Sequence, residues 1–147
     1  MEKGITIKIE DEFGEVLKEY KVPPEREGFE KASLEGAELS GAQLTEANFK
    51  EAELYWCSFF TAKLDGANFE GANLQGADLK ESSCIGANFR NANIGRDNLG
   101  GSSSLQGADL SEAILNGANL EGAEYDENTK FPKGFYPEPH GMLYVGT

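Results

Sequence analysis

Ala67-Asn68-Phe69-Glu70-Gly71-Ala72-Asn73-Leu74-Gln75-Gly76-Ala77-Asp78-Leu79 is the stretch that decides the fold. An alanine returns every five residues, and a large apolar residue stands two places after each. A five-residue period matches neither the 3.6-residue face of a helix nor the alternation of a strand, so it encodes a stacked repeat. The large residue of each unit is its centre. Outward from this stretch, centres run in steps of five from Phe29 to Leu99, slip by one residue, and resume from Leu105 to Tyr125, giving twenty centres.

A second period lies over the first. Phe29, Phe49, Phe69 and Phe89 fall twenty residues apart, Leu110 continues them once the slip is counted, and Ala-Asn-Phe recurs at 47–49, 67–69 and 87–89. Four units therefore close one coil, and like residues stack on like. The expected architecture is a square solenoid of about five coils, roughly 4.8 Å apart, making a rod about 24 Å long. Each unit sends one small and one large side chain inward. Its other three positions face water, which explains the Asn, Asp, Glu, Ser and Lys found there. Glycine is frequent two places after the centre, where the chain must turn a corner.

These residues resemble the pentapeptide-repeat family, whose unit reads Ala-(Asp/Asn)-Leu-x-x, over roughly residues 27–126. The resemblance implies an all-β fold, a right-handed quadrilateral β-helix; the hand comes from the family alone. Some positions depart from the pattern. Glu27, Cys57, Ser82, Asp97 and Ser103 stand where the small residue belongs, and Cys84 replaces a large centre. Residues 95–104 carry the slip.

Flanking segments divide the chain into three. Residues 1–26 read as a β-hairpin and linker: Ile5-Thr6-Ile7-Lys8-Ile9 alternates, a turn follows around Gly14, and Val16 to Val22 returns with Val16, Lys18, Tyr20 and Val22 on one face. This hairpin is expected to cap the first coil and cover its edge. Residues 27–126 form the β-helix, and 127–147 an irregular tail in which Phe131 and Phe135 cover the last coil while 136–147 run extended. The tail also makes an end-to-end dimer an alternative to a monomer.

The chain of 147 residues carries a net charge of −13. Residues 32–126 hold fifteen Asp/Glu against five Lys/Arg. Such a surface repels nucleic acid and anionic membranes and suits a basic partner, although a repetitive β rod also needs charge for solubility. Cys57 and Cys84 occupy inward slots on different faces and read as buried thiols, not a disulfide. The N-terminus alternates Ile and Lys in place of an apolar run, so neither a signal peptide nor a membrane span is expected and a bacterial cytoplasm is the default.

Catalytic chemistry is not expected. The lone histidine, His140, sits in the tail, no Cys/His spacing suits zinc, and a filled axis leaves no cleft to perturb a carboxylate. We expect no enzyme activity, no cofactor and no metal. Three surface features remain. Tyr55, Trp56 and Phe60 hold outward slots that are polar elsewhere, a signature of protein contact unless the N-terminal hairpin lies across them. Arg96 and Asp97 mark the irregular loop, with Asp97 in an inward slot, or else pinning the bulge with the serines through local hydrogen bonds. Lys50, Glu70 and Arg90 form a column expected to act as a surface ion ladder.

The sequence thus points to a non-catalytic scaffold or protein-interaction module. One branch of the family it resembles mimics duplex DNA and binds type II topoisomerases, and the charge sign agrees. Duplex DNA carries one charge per ~1.7 Å, so a rod of this length would need about fourteen. Placement argues against mimicry. Glu46 is followed by Gly66 and Gly86 in its column, and Glu70 lies between Lys50 and Arg90.

Overall fold

The computed structural model describes residues 4–146. Parallel bridges join residues twenty apart, from Ser33↔Glu53 through Asn73↔Asn93. Each junction is a two-way exchange. Phe49 donates its N–H to the Asn68 carbonyl at 2.7 Å, and Asn68 donates back to the Ala47 carbonyl at 2.9 Å. The rod is the square β-helix that the repeat leads one to expect.

Corners explain why the period is five. A regular corner is a four-residue turn closed by the residue in the small slot, usually alanine, as when Ala52 N–H donates to Phe49 C=O at 3.0 Å. Its third residue has positive φ and its second does not, the type II pattern. The polar residue before the centre has a task the sequence does not reveal. Asn48, Asn68 and Asn88 each accept, at 3.0 Å, the N–H of the residue two further on. They are turn clamps as well as solvated side chains.

Alanine and the centres fill the axis. Phe49, Phe59, Phe69 and Phe89 are fully buried, and the stack from Phe29 to Phe89 has centroid spacings of 4.8, 5.1 and 4.9 Å. Phe59 meets Phe49 and Phe69 edge-on at 6.0 and 6.2 Å. Cys57 and Cys84 are both free and buried, and burial pushes their thiols up to about 11 and about 12.

The slip is the first correction. Stacking offsets rise from twenty residues to twenty-six at Asp78↔Ser104 and stay there through Asn93↔Asn119, then return to twenty at Ser104↔Glu124. Six residues have been inserted, and a six-residue insertion reads as a one-residue slip when the period is five. Leu99 is consequently no centre: it is 87% exposed. Leu105 follows Ile94 directly in the core.

Strands β1 (Ile5–Glu10) and β2 (Val16–Val22) form the expected antiparallel hairpin. A register shift between Ile9 and Glu10 changes which face packs. Leu17 and Tyr20 meet the core, whereas Val16 is exposed. The hairpin caps the first coil: Ile9 is buried, Tyr20 lies 5.4 Å from Phe29, and Gln43 N–H donates to Glu10 C=O at 2.8 Å.

The tail is less extended than expected. Lys130 bridges to Asp109, a short 3-10 turn spans Glu138–His140, and β3 (Glu124–Tyr125) pairs in parallel with β4 (Leu143–Tyr144). Phe131 and Phe135 do pack on the last coil, Phe131 meeting Tyr125 edge-on at 5.6 Å. The Lys50–Glu70–Arg90 ladder does not form. Ion pairs among the described residues are Lys31–Glu51, Lys80–Asp78 and Arg96–Glu121, each at 3.8 Å.

Candidate protein-interaction site

Two departures from the repeat meet at one place. Trp56 is the third residue of the Leu54–Cys57 turn, with φ of 56°, a conformation costing a side-chain-bearing residue roughly 1–2 kcal/mol. Its indole lies across the next coil's corner. A Cβ on Gly76, itself at φ 70°, would come within 2.5 Å of the ring. Gly76 is therefore required twice, for its backbone and for the space above it.

The second departure is the inserted loop. Asp97 leaves the inward slot and turns outward, because looping out six residues frees it from the coil. Its carboxylate accepts N–H bonds from Trp56 Nε1 at 2.7 Å, Leu99 at 2.8 Å and Gly101 at 2.6 Å. The indole N–H, ahead of the Gly101 and Leu99 amides, holds this carboxyl below its ordinary value. Arg96 points away, over Gly122, toward Glu121.

Ser103 pins the loop from inside. In neighbouring coils the corner N–H finds a carbonyl one coil on: Gly36 bonds Tyr55, and Trp56 bonds Gln75. The insertion removes the carbonyl that Gly76 would use. The fully buried Ser103 hydroxyl replaces it, accepting from Gly76 N–H at 3.1 Å with Leu74 and Gly95 carbonyls at 3.1 and 3.0 Å for its own proton.

The result is a cleft of about 370 Å³ lined by Tyr55, Trp56, Gln75, Asp97, Asn98 and Leu99. Trp56 is 53% exposed, and the inserted loop, not the N-terminal hairpin, lies beside it. Tyr55 is half-buried, tilted against Trp56 at 5.9 Å, and its hydroxyl accepts from Asn73. Phe60 does not join them; it lines another cleft with Lys80, Glu81 and Gln106. The repeat pattern does not bring Trp56 and Asp97 together, and it does not mark Gln75, Asn98 or Leu99 as neighbours of either. A usable signal was present: the slot two places before Leu99 holds an acid, so that unit is no true repeat.

Neither the thiols nor the histidine lies in the cleft. Both cysteines lie in the core with raised pKa values, and His140 stacks on Phe135 at 4.5 Å in the tail. Among the described residues no cluster of His, Cys, Asp or Glu has the arrangement of a metal site, and no helix is long and apolar enough to cross a membrane.

Comparison with known proteins agrees with the geometry. The family described as pentapeptide repeats matches in eight copies, over residues 29–59, 57–96 and 103–124. A pentapeptide repeat protein of the Arabidopsis thaliana thylakoid lumen is 35% identical, with a TM-score of 0.52 over 65% of this chain and 66% of its own. One from Nostoc Pcc 7120 is 34% identical over 76% of this chain and 84% of its own, with a TM-score of 0.44. A third, Rfr23 from the cyanobacterium Cyanothece 51142, is 34% identical over 69% and 61%, with a TM-score of 0.43. No functionally curated protein matches the sequence.

Proposed function

Because the chain belongs to the pentapeptide-repeat family, we propose that it is a non-catalytic scaffold that binds another protein through the Tyr55–Trp56–Leu99 cleft. One observation carries this reading. An exposed tryptophan in a corner slot that is polar elsewhere and a six-residue insertion bearing an exposed leucine line the same cleft. The two exposed apolar side chains are a cost to a free rod, and burial against a partner offsets it.

Affinity purification from the native cell tests it, comparing wild type with Trp56→Ala and Leu99→Ser. A partner retained by wild type and lost from both variants, with circular dichroism unchanged, supports the cleft. Retention of every partner by the double variant refutes it.

The acidic balance of −13 favours topoisomerase binding as a second reading. The broken columns weigh against it, since Glu46, Gly66 and Gly86 share a corner and only the first is charged. Inhibition of gyrase supercoiling by micromolar protein would restore that reading.

A further inference from the structure

The hydrogen-bond ladder stops short along two adjoining sides of the last regular coil, and the first of them carries the argument. One coil earlier, Phe89 N–H donates to Ile114 C=O at 2.8 Å and Asn91 N–H to Asn116 C=O at 3.0 Å, while Ala87 C=O accepts from Ile114 N–H at 2.9 Å. The groups one coil on are Leu115 N–H, Gly117 N–H and Ala113 C=O, and none of these has a hydrogen-bond partner among the described residues. The opening continues onto the next side, where Leu120 N–H and Ala118 C=O also have no partner among the described residues; it is closed before by Leu110, which donates to Lys130 C=O at 2.7 Å, and after by Gly122, which donates to Gly141 C=O at 2.9 Å. The gap is bounded, not frayed.

Side chains do not seal it. A cleft of about 410 Å³ runs along this edge, with Ala113, Leu115 and Gly117 on one wall and Pro132, Phe135 and His140 on the other. Leu115 and Phe135 are only partly buried, unlike the centres Phe69 and Phe89. A paired donor–acceptor row beside an apolar slot is what a β-strand needs in order to add to a sheet edge.

We propose that this edge is a strand-addition site that takes an extended peptide segment of another protein, with an aliphatic side chain seated between Leu115 and Phe135. The coil below dictates the register. One residue of the added strand exchanges both bonds, with Ala113 C=O and Leu115 N–H, and the residue two places on accepts from Gly117 N–H. It runs parallel to the coil at the usual strand spacing of roughly 4.8 Å. Pro132 and Phe135 form the tail-side wall of the slot. A second copy would have to bring another chain of charge −13 past that wall. The site shares no residue with the Trp56 cleft.

A phage-displayed random-peptide library panned against the full chain supplies the probe. Enriched peptides are synthesised and added to isotope-labelled protein, and amide exchange is followed at Leu115 and Gly117 with Phe89 and Asn91 as internal references. The free protein should exchange Leu115 and Gly117 faster than the references, and peptide should slow both by about tenfold or more. Failure to enrich any peptide overturns the proposal. So do peptides that bind while leaving both amides unchanged. Protection of both amides in the free protein, with sedimentation as a dimer, assigns the edge to a second copy and equally overturns it.

Discussion

Ser103→Ala sets the repeat pattern against the structure. Alanine fills this slot in other coils, at Ala37, Ala77 and Ala123, so the pattern alone recommends the change. The structure says otherwise. Ser103 is fully buried, and its hydroxyl stands in for the carbonyl that the insertion takes away from Gly76. Removing it strands a corner N–H and takes the donor from Gly95 C=O, while Leu74 C=O keeps Ala77 N–H, a cost of about 1–3 kcal/mol for a buried group left unpaired. A domain of this size loses about 2–4 °C in Tm per kcal/mol, so the midpoint should fall by roughly 2–12 °C. A solenoid need not unfold in one step, so two probes are required. Trp56, the one tryptophan, reports the cleft by fluorescence, and far-ultraviolet circular dichroism reports the rod. The tryptophan transition should move earlier than the dichroism transition. An unchanged or raised midpoint by both probes would refute the argument that the hydroxyl replaces a lost ladder bond.

Acid should release the loop. Asp97 is depressed by the Trp56, Gly101 and Leu99 N–H groups, so its contribution is present above the ordinary aspartate value and lost as pH falls through the folded one. Trp56 fluorescence should therefore titrate below the ordinary aspartate range, and Asp97→Asn should abolish that step; a midpoint at or above the ordinary value contradicts the geometry. Phe69→Ala removes a ring stacked on both sides and should cost about 3–5 kcal/mol in thermal or urea unfolding; a loss under 1 kcal/mol would mean the aromatic column is not a principal part of the core. Cys57 and Cys84 should resist thiol reagents in the native state and react once unfolded, because only the thiolate attacks and burial suppresses it; rapid native labelling would show that the axis opens.

The rod was legible because its physics repeats. A five-residue unit with one small and one large inward side chain has few ways to close, and a twenty-residue phenylalanine period fixes four sides. Legibility failed where the chain departs from period. Phase arithmetic cannot tell one extra residue from six, so Leu99 reads as a core centre although it stands in solvent. The bulge that brings Leu17 inward in the hairpin follows from register, which alternation does not encode. Trp56 and Asp97 lie 41 residues apart in the chain and meet only because coil and loop stack. Their separate oddity was visible in the sequence, but their hydrogen bond was not. Ser103 reads as an alanine substitute until the missing carbonyl is seen.

The insertion between Ile94 and Ser103 leaves the layers on either side in step, since Ser104↔Glu124 resumes the twenty-residue offset. A corner of this rod can thus be spliced without propagating an error along the axis, provided one buried hydroxyl heals the seam. Lineages built on such a rod can vary cargo at the corners while the shaft is inherited unchanged. An engineer could graft foreign loops by the same rule, placing a serine in the small slot after each graft.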